Sequence, residues 1–109
     1  MKDRLLNSLM SHRGNLLSEE ELKAFHVVAD QIAEIGFNDA MVCYYDGDDP
    51  QIVYDLLMKE NLVVHITQYF IDPVDQIVYH IEKDHKPLFA SHLPIDNFKK
   101  RLKSMVDSF

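Results

Sequence analysis

The segment from Leu62 to His85, LVVHITQYFIDPVDQIVYHIEKDH, restricts the fold of this chain more than any other. Apolar and polar residues alternate along two runs, which is the period of a β-strand with one buried face. The residues Asp72-Pro73-Val74-Asp75 separate the runs, and Asp followed by Pro suits the first two positions of a type I turn. The segment therefore predicts a β-hairpin within an antiparallel sheet.

The expected loop of four residues, 72–75, fixes the pairing of the two strands. It places Thr67 opposite His80 and His65 opposite Glu82, and opposite side chains share one face of a sheet. One face of the hairpin is then apolar: Leu62, Val64, Ile66, Phe70, Ile77, Tyr79 and Ile81. The other face is mixed: Val63, His65, Thr67, Tyr69, Val78, His80 and Glu82. We expect the first face to lie in the core and the second to be exposed or covered by another chain.

Apolar residues at helical spacing predict two helices near the start of the chain. The first covers residues 3–12. The second begins at Ser18, because Ser18 and Glu21 have the spacing of a capping box. It ends at Gly36, which occupies the position of a helix-terminating glycine.

Proline positions predict two more helices. Asp49 and Pro50 suit the N-cap and first position of a helix that continues to Asn61. Pro94 begins the last helix. Residues 40–45 and 87–91 are the expected strands outside the hairpin, because 40–45 is rich in β-branched and aromatic residues and Pro87 fits a strand start.

The predicted order of elements is therefore α-α-β-α-β-β-β-α. This order is typical of an α+β protein, a two-layer sandwich with a mostly antiparallel sheet and its helices on one face. The 109 residues are expected to form a single globular domain, with residues 1–14 as a peripheral N-terminal helix.

The chain is acidic, with a formal net charge of −7. Residues 1–50 hold four Lys and Arg against ten Asp and Glu. Non-specific nucleic-acid binding depends on Lys and Arg that neutralise phosphates, so we expect no nucleic-acid partner. An acidic surface can steer a basic protein partner, although solubility alone also explains such a charge.

Cysteine content and hydropathy indicate a cytoplasmic protein. Cys43 is the single cysteine, so an intramolecular disulfide is excluded. The chain has no apolar run approaching the roughly 18 residues of a membrane-spanning helix. The apolar stretch near Met1 is too short and broken for a secretory signal, so we expect neither membrane association nor secretion.

The mixed face of the hairpin is the first candidate site. His65, His80 and Glu82 share this face and could together hold a metal or provide a catalytic base. The simplest interpretation is that they are exposed side chains on the solvent-facing side of the sheet. Tyr69, Thr67 and the neighbouring valines favour a protein contact surface over a metal site. We therefore expect no metal, cofactor or catalytic residue here.

The acidic turn Asp46-Gly47-Asp48-Asp49 is the second candidate site. It lacks the glycine position and the twelfth-position Glu of an EF-hand, so a turn with a helix cap explains it better than calcium binding. Asp46, Asp48 and Asp49 can still form an acidic contact patch for a basic partner.

These features favour a small acidic protein that is not an enzyme and that neutralises or regulates another protein by direct contact, as inhibitors and immunity proteins of toxins do. The partner would be another protein, such as a basic toxin or enzyme. Two alternatives stay open. One is a homodimeric chaperone or accessory protein. The other is a small metal- or ligand-dependent enzyme that uses His65, His80 and Glu82.

Overall fold

The computed structural model describes residues 1–59, 61–70, 76–83 and 86–107. They form three helices, α1 (Lys2–Ser11), α2 (Glu19–Ile35) and α3 (Ile95–Asp107), and five strands, β1 (Asp39–Tyr45), β2 (Gln51–Lys59), β3 (Leu62–Tyr69), β4 (Gln76–Lys83) and β5 (Lys86–Pro94). A short 3-10 helix, Gly14–Leu16, follows α1. In the described part of the chain, no helix combines the length and apolar composition needed to cross a bilayer.

The five described strands form one antiparallel sheet, in which each strand pairs with the next along the chain, from β1 to β5. The predicted α+β class and antiparallel sheet are therefore confirmed. Alternate strand residues lie in the core, as in β3, where Leu62, Val64 and Ile66 are buried. Helical residues such as Leu9 and Phe25 pack against that face, which gives two layers.

The predicted core face of the hairpin agrees with the observed burial. Leu62, Val64, Ile66 and Ile77 are fully or almost fully buried, and Phe70 packs partly buried against them. The side chains of Tyr79 and Ile81 lie outside the described part. The predicted turn at 72–75 also falls on residues that the structure does not describe.

The helix predicted from Asp49 to Asn61 is wrong, because Gln51–Lys59 forms strand β2. Ile52, Tyr54, Leu56 and Met58 are buried, and the residues between them are not. This alternation has the period of a strand, and the strand pairs with β1 on one side and with β3 on the other. The Asp-Pro capping signal is local and weak, so tertiary pairing overrides it.

The predicted pairing of β3 with β4 is displaced by two residues. His65 pairs with His80 rather than with Glu82, and Thr67 pairs with Val78 rather than with His80. The connection between Tyr69 and Gln76 is thus longer than the predicted four-residue loop. A shift by an even number of residues does not exchange the two faces, so the described side chains of β3 and β4 keep their predicted faces.

The start and end of α2 follow the sequence prediction. The Ser18 Oγ accepts a hydrogen bond from the Glu21 backbone N–H (3.2 Å), and the Glu21 carboxylate accepts one from the Ser18 N–H (2.9 Å). This reciprocal capping box satisfies two amide groups that the first helical turn leaves without partners. Gly36 ends the helix with a φ of +89°, a conformation that favours glycine.

Helix α1 packs along β1, the strand at one edge of the sheet. The Ser8 Oγ accepts a hydrogen bond from the Val42 N–H (2.8 Å), and the His12 carbonyl accepts one from the Tyr44 N–H (3.1 Å). Leu5 of the same helix is fully buried in the core. Helix α1 therefore closes this edge and also contributes side chains to the core.

Candidate functional site on the outer face of the sheet

The sheet face opposite the core carries partly and fully exposed side chains, and we call it the outer face. Strands β1 and β2 contribute Met41, Cys43, Tyr45, Val53, Asp55 and Leu57. Strands β3 and β4 contribute Val63, His65, Thr67, Tyr69, Val78 and Glu82. Met41 and Tyr45 are each 51% exposed, and Leu57 is 37% exposed. More than half of these side chains are apolar or aromatic, so the outer face is not the uniformly polar surface of a sheet adapted to water.

A histidine flanked by two carboxylates lies on this face, and we call Asp55, His65 and Glu82 the His65 cluster. Asp55 is the β2 residue paired with His65 of β3. The His65 Nδ1 lies 2.5 Å from the Asp55 Oδ1, and its Nε2 lies 3.6 Å from the Glu82 Oε2. Both ring nitrogens therefore face a carboxylate, and this arrangement holds the imidazole in place across three strands.

The structure brings together only part of the predicted site. Glu82 approaches His65 as predicted, but from a diagonal position, because Glu82 pairs with Val63. Backbone pairing sets His80 directly opposite His65, whereas the His80 side chain is outside the described part. Thr67 and Tyr69 lie on the outer face of β3, where both are partly buried.

Asp55 is the residue that the sequence analysis missed, because its segment was predicted as a helix. The signal was present in the alternation of Ile52, Tyr54, Leu56 and Met58, which places Asp55 on the opposite face. With residue 55 in a strand between β1 and β3, the observed register of β2 against β3 sets its carboxylate beside His65.

The acidic turn lies at one end of the outer face, between β1 and β2. Asp46, Asp48 and Asp49 line an open depression together with Tyr45 and Arg13. The Arg13 guanidinium lies 3.2 Å from the Asp46 carboxylate. Within the described residues, no group of three or more His, Cys, Asp or Glu side chains is arranged to hold a metal ion.

A smaller depression of about 240 Å³ lies between β1, β2 and the start of β3, and we call it the Asp55 depression. Met41, Leu57 and Val63 supply its apolar walls, and Asp39 and Asp55 supply carboxylates. The depression adjoins the His65 cluster, because Asp55 belongs to both.

Cys43 is partly buried on the outer face. Burial, and then the negative charge of Asp55, raise the pKa of the Cys43 thiol. A catalytic thiol needs the opposite shift, because the thiolate is the nucleophile. This environment suits a structural cysteine.

A buried polar contact fixes the core beneath the outer face. The Tyr54 hydroxyl donates a hydrogen bond to the Gln68 side-chain oxygen (2.5 Å), and the Gln68 amide donates one to the Ala24 carbonyl of α2 (2.9 Å). Tyr54 and Gln68 are both fully buried. Strands β2 and β3 are thereby joined to α2, which holds the two strands that carry Asp55 and His65.

Comparisons of the chain with protein-family models, with curated proteins and with solved structures found no match in any of the three.

Proposed function

We propose that this protein is a small acidic binding protein, not an enzyme, that acts by direct contact with another protein. Its role would be that of an inhibitor, immunity protein or regulator that occludes its partner. The observation that carries this proposal is the outer face, where exposed apolar and aromatic side chains surround a small charged cluster.

The composition of the outer face supports a contact surface. Protein interfaces combine apolar and aromatic contacts with a few polar groups, and tyrosine and methionine are enriched in them. Met41, Tyr45 and Tyr69 provide such contacts on a rigid sheet. A strand fixes the backbone that carries these side chains, so a partner has to order side-chain rotamers but not a loop.

The geometry of the His65 cluster supports a binding role over catalysis. A general base needs a ring nitrogen directed toward the proton that it removes. In His65 both ring nitrogens face carboxylates, of Asp55 and Glu82. The alternative of a metal- or ligand-dependent enzyme that uses His65, His80 and Glu82 is therefore less well supported.

The distribution of charge supports a basic partner. Asp46, Asp48 and Asp49 lie at one end of the outer face, and the whole chain carries a net charge of −7. Such a surface accelerates encounter with a cationic protein and repels a second copy of itself. We accordingly propose a heterologous partner in the cytoplasm and treat the homodimeric accessory protein as the alternative.

Site-specific photo-crosslinking in the organism that encodes the protein tests this proposal. The photoreactive residue p-benzoylphenylalanine would replace Thr67 on the outer face or, as a matched control, Val27, which is 48% exposed on α2. The expected result is one predominant adduct with a different protein from position 67 and none from position 27. An adduct with a second copy of this chain would support the homodimer instead. No adduct, or the same adducts from both positions, would contradict the proposal.

A further inference from the structure

The Asp55 depression combines apolar walls with carboxylates at one point on the outer face. Met41, 51% exposed, and Leu57, 37% exposed, both line it. The Asp55 side chain is 44% exposed, so its carboxylate is accessible to a partner.

We propose that this depression receives an arginine side chain of the partner protein, with the aliphatic stem against Met41, Leu57 and Val63 and the guanidinium on Asp55. This inference rests on the proposed function, because it assigns the partner's anchor residue to a particular place on the outer face. Arginine is among the residues that contribute most to protein interfaces.

The shape and chemistry of the depression match this side chain. Arginine lays its methylene groups along apolar surface and keeps its charged end on polar groups. The volume of about 240 Å³ is sufficient for one long side chain. The guanidinium is planar and weakly hydrated compared with an ammonium ion, and it can bond both oxygens of a carboxylate.

The Asp55 carboxylate retains acceptor capacity. Within the described residues, its hydrogen bond to His65 uses Oδ1. Asp39, at the rim, also uses Oδ1 for its contacts with Arg4 and with the Ala40 N–H. A carboxylate has two oxygens and about four lone-pair sites, so an arriving guanidinium can add to these bonds without breaking them.

The local charge favours a cationic anchor at this position. Even with His65 protonated, Asp55 and Glu82 leave the His65 cluster with a net charge of −1. A second copy of the chain would place the same acidic cluster and a charge of −7 against this face. Charge complementarity therefore selects a basic partner over self-association.

The test uses N-acetyl-L-arginine N-methylamide as the probe and follows backbone amide shifts of the full chain by NMR. The matched uncharged probe is the citrulline analogue, which has nearly the same shape. The expected result is saturable shifts centred on Met41, Asp55, Leu57 and Val63 with the arginine probe and much smaller shifts with citrulline. Equal shifts with both probes, or shifts centred on residues 46–49, would overturn the inference.

Two variants sharpen this test. Asp55→Asn should weaken arginine binding about threefold to fivefold, the contribution of one partly exposed ion pair. Asp48→Asn removes the same charge from the acidic turn and should change the affinity less than about twofold, since long-range interactions between exposed charges are screened. Equal weakening by both variants would show that only net charge matters and would overturn the inference.

A third variant covers the case in which Asp55→Asn disturbs the fold through His65. Met41→Lys at an exposed position places a tethered cation at the depression and should abolish the arginine-specific shifts in a chain with an otherwise native spectrum. Unchanged arginine shifts in that variant would contradict the inference. If position 67 crosslinks to a partner protein but the arginine probe causes no saturable shifts, this inference is overturned and the proposed function is not. If position 67 gives no adduct with another protein, the proposed function is overturned.

Discussion

At the scale of single residues, buried polar groups show which positions the fold depends on. Tyr54 and Gln68 are fully buried, and their hydrogen bond continues to the Ala24 carbonyl. Leaving one buried polar atom without a partner costs more free energy than the hydrogen bond contributes. The alternation of β3 predicts that residue 68 lies in the core, but an isolated glutamine in the sequence does not reveal its partners.

Tyr54→Phe should lower the free energy of unfolding by about 1–3 kcal/mol, because the buried Gln68 oxygen loses its donor. Urea denaturation measures this difference. Tyr45→Phe is the matched control, since Tyr45 is 51% exposed, and it should change stability by less than about 0.5 kcal/mol. Equal effects of the two substitutions would contradict the role assigned to the Tyr54–Gln68 contact.

Tyr44 should contribute to the pH dependence of the free energy of unfolding. Burial, and then its hydrogen bond to the Glu21 carboxylate, raise the pKa of Tyr44 to about 12. The raised pKa means that the folded state holds the proton more tightly than the unfolded state, so this stabilisation is complete below pH 10 and is lost as pH rises toward 12.

Tyr44→Phe isolates that contribution. The stability difference between wild type and Tyr44→Phe should decrease between pH 10 and pH 12, the window of the Tyr44 shift. Chemical denaturation at a series of pH values measures it. A difference that stays constant across this window would show that Tyr44 titrates at its ordinary pKa in the folded chain.

At the scale of elements, local signals predicted some parts of the fold and failed at others. The capping box at Ser18 and Glu21 is a local feature, and its helix was predicted correctly. The segment after Pro50 carries a similar start signal, but it forms β2 because neighbouring strands pair with both of its edges. The two-residue displacement between β3 and β4 has the same origin, since pairing along whole strands outweighs the preference of one turn.

The closure of the β1 edge by α1 is testable at this scale. Ser8→Ala removes the acceptor of the Val42 N–H and should destabilise the fold by about 0.5–1.5 kcal/mol. Amide exchange at Val42 should accelerate more than at Tyr44, whose partner is the His12 backbone carbonyl. Ser11→Ala is the control, because the exposed Ser11 hydroxyl bonds only within α1 among the described residues. Unchanged exchange at Val42 would contradict the edge role of Ser8.

At the scale of the whole molecule, the helices cover one face of the sheet and leave the outer face accessible. The sequence was sufficient to predict the two faces of the hairpin of β3 and β4 and to place His65, Thr67 and Tyr69 together on one of them. It was not sufficient to predict Asp55 beside His65, because that contact joins separate strands and depends on the identity of β2. The exposed apolar and aromatic side chains of the outer face are the basis of the claim that this face is a protein contact surface.

The most direct test of that claim uses the partner that crosslinking at position 67 identifies. Its affinity is measured for two matched variants of this protein. Val53→Arg places a bulky cation on the outer face, and Val27→Arg makes the same change in charge on α2. Isothermal titration calorimetry should show that Val53→Arg binds the partner at least about tenfold more weakly than wild type, a loss of about 1.4 kcal/mol. Val27→Arg should weaken binding by less than about twofold. Wild-type affinity in a folded Val53→Arg variant, or equal losses in both variants, would contradict the account.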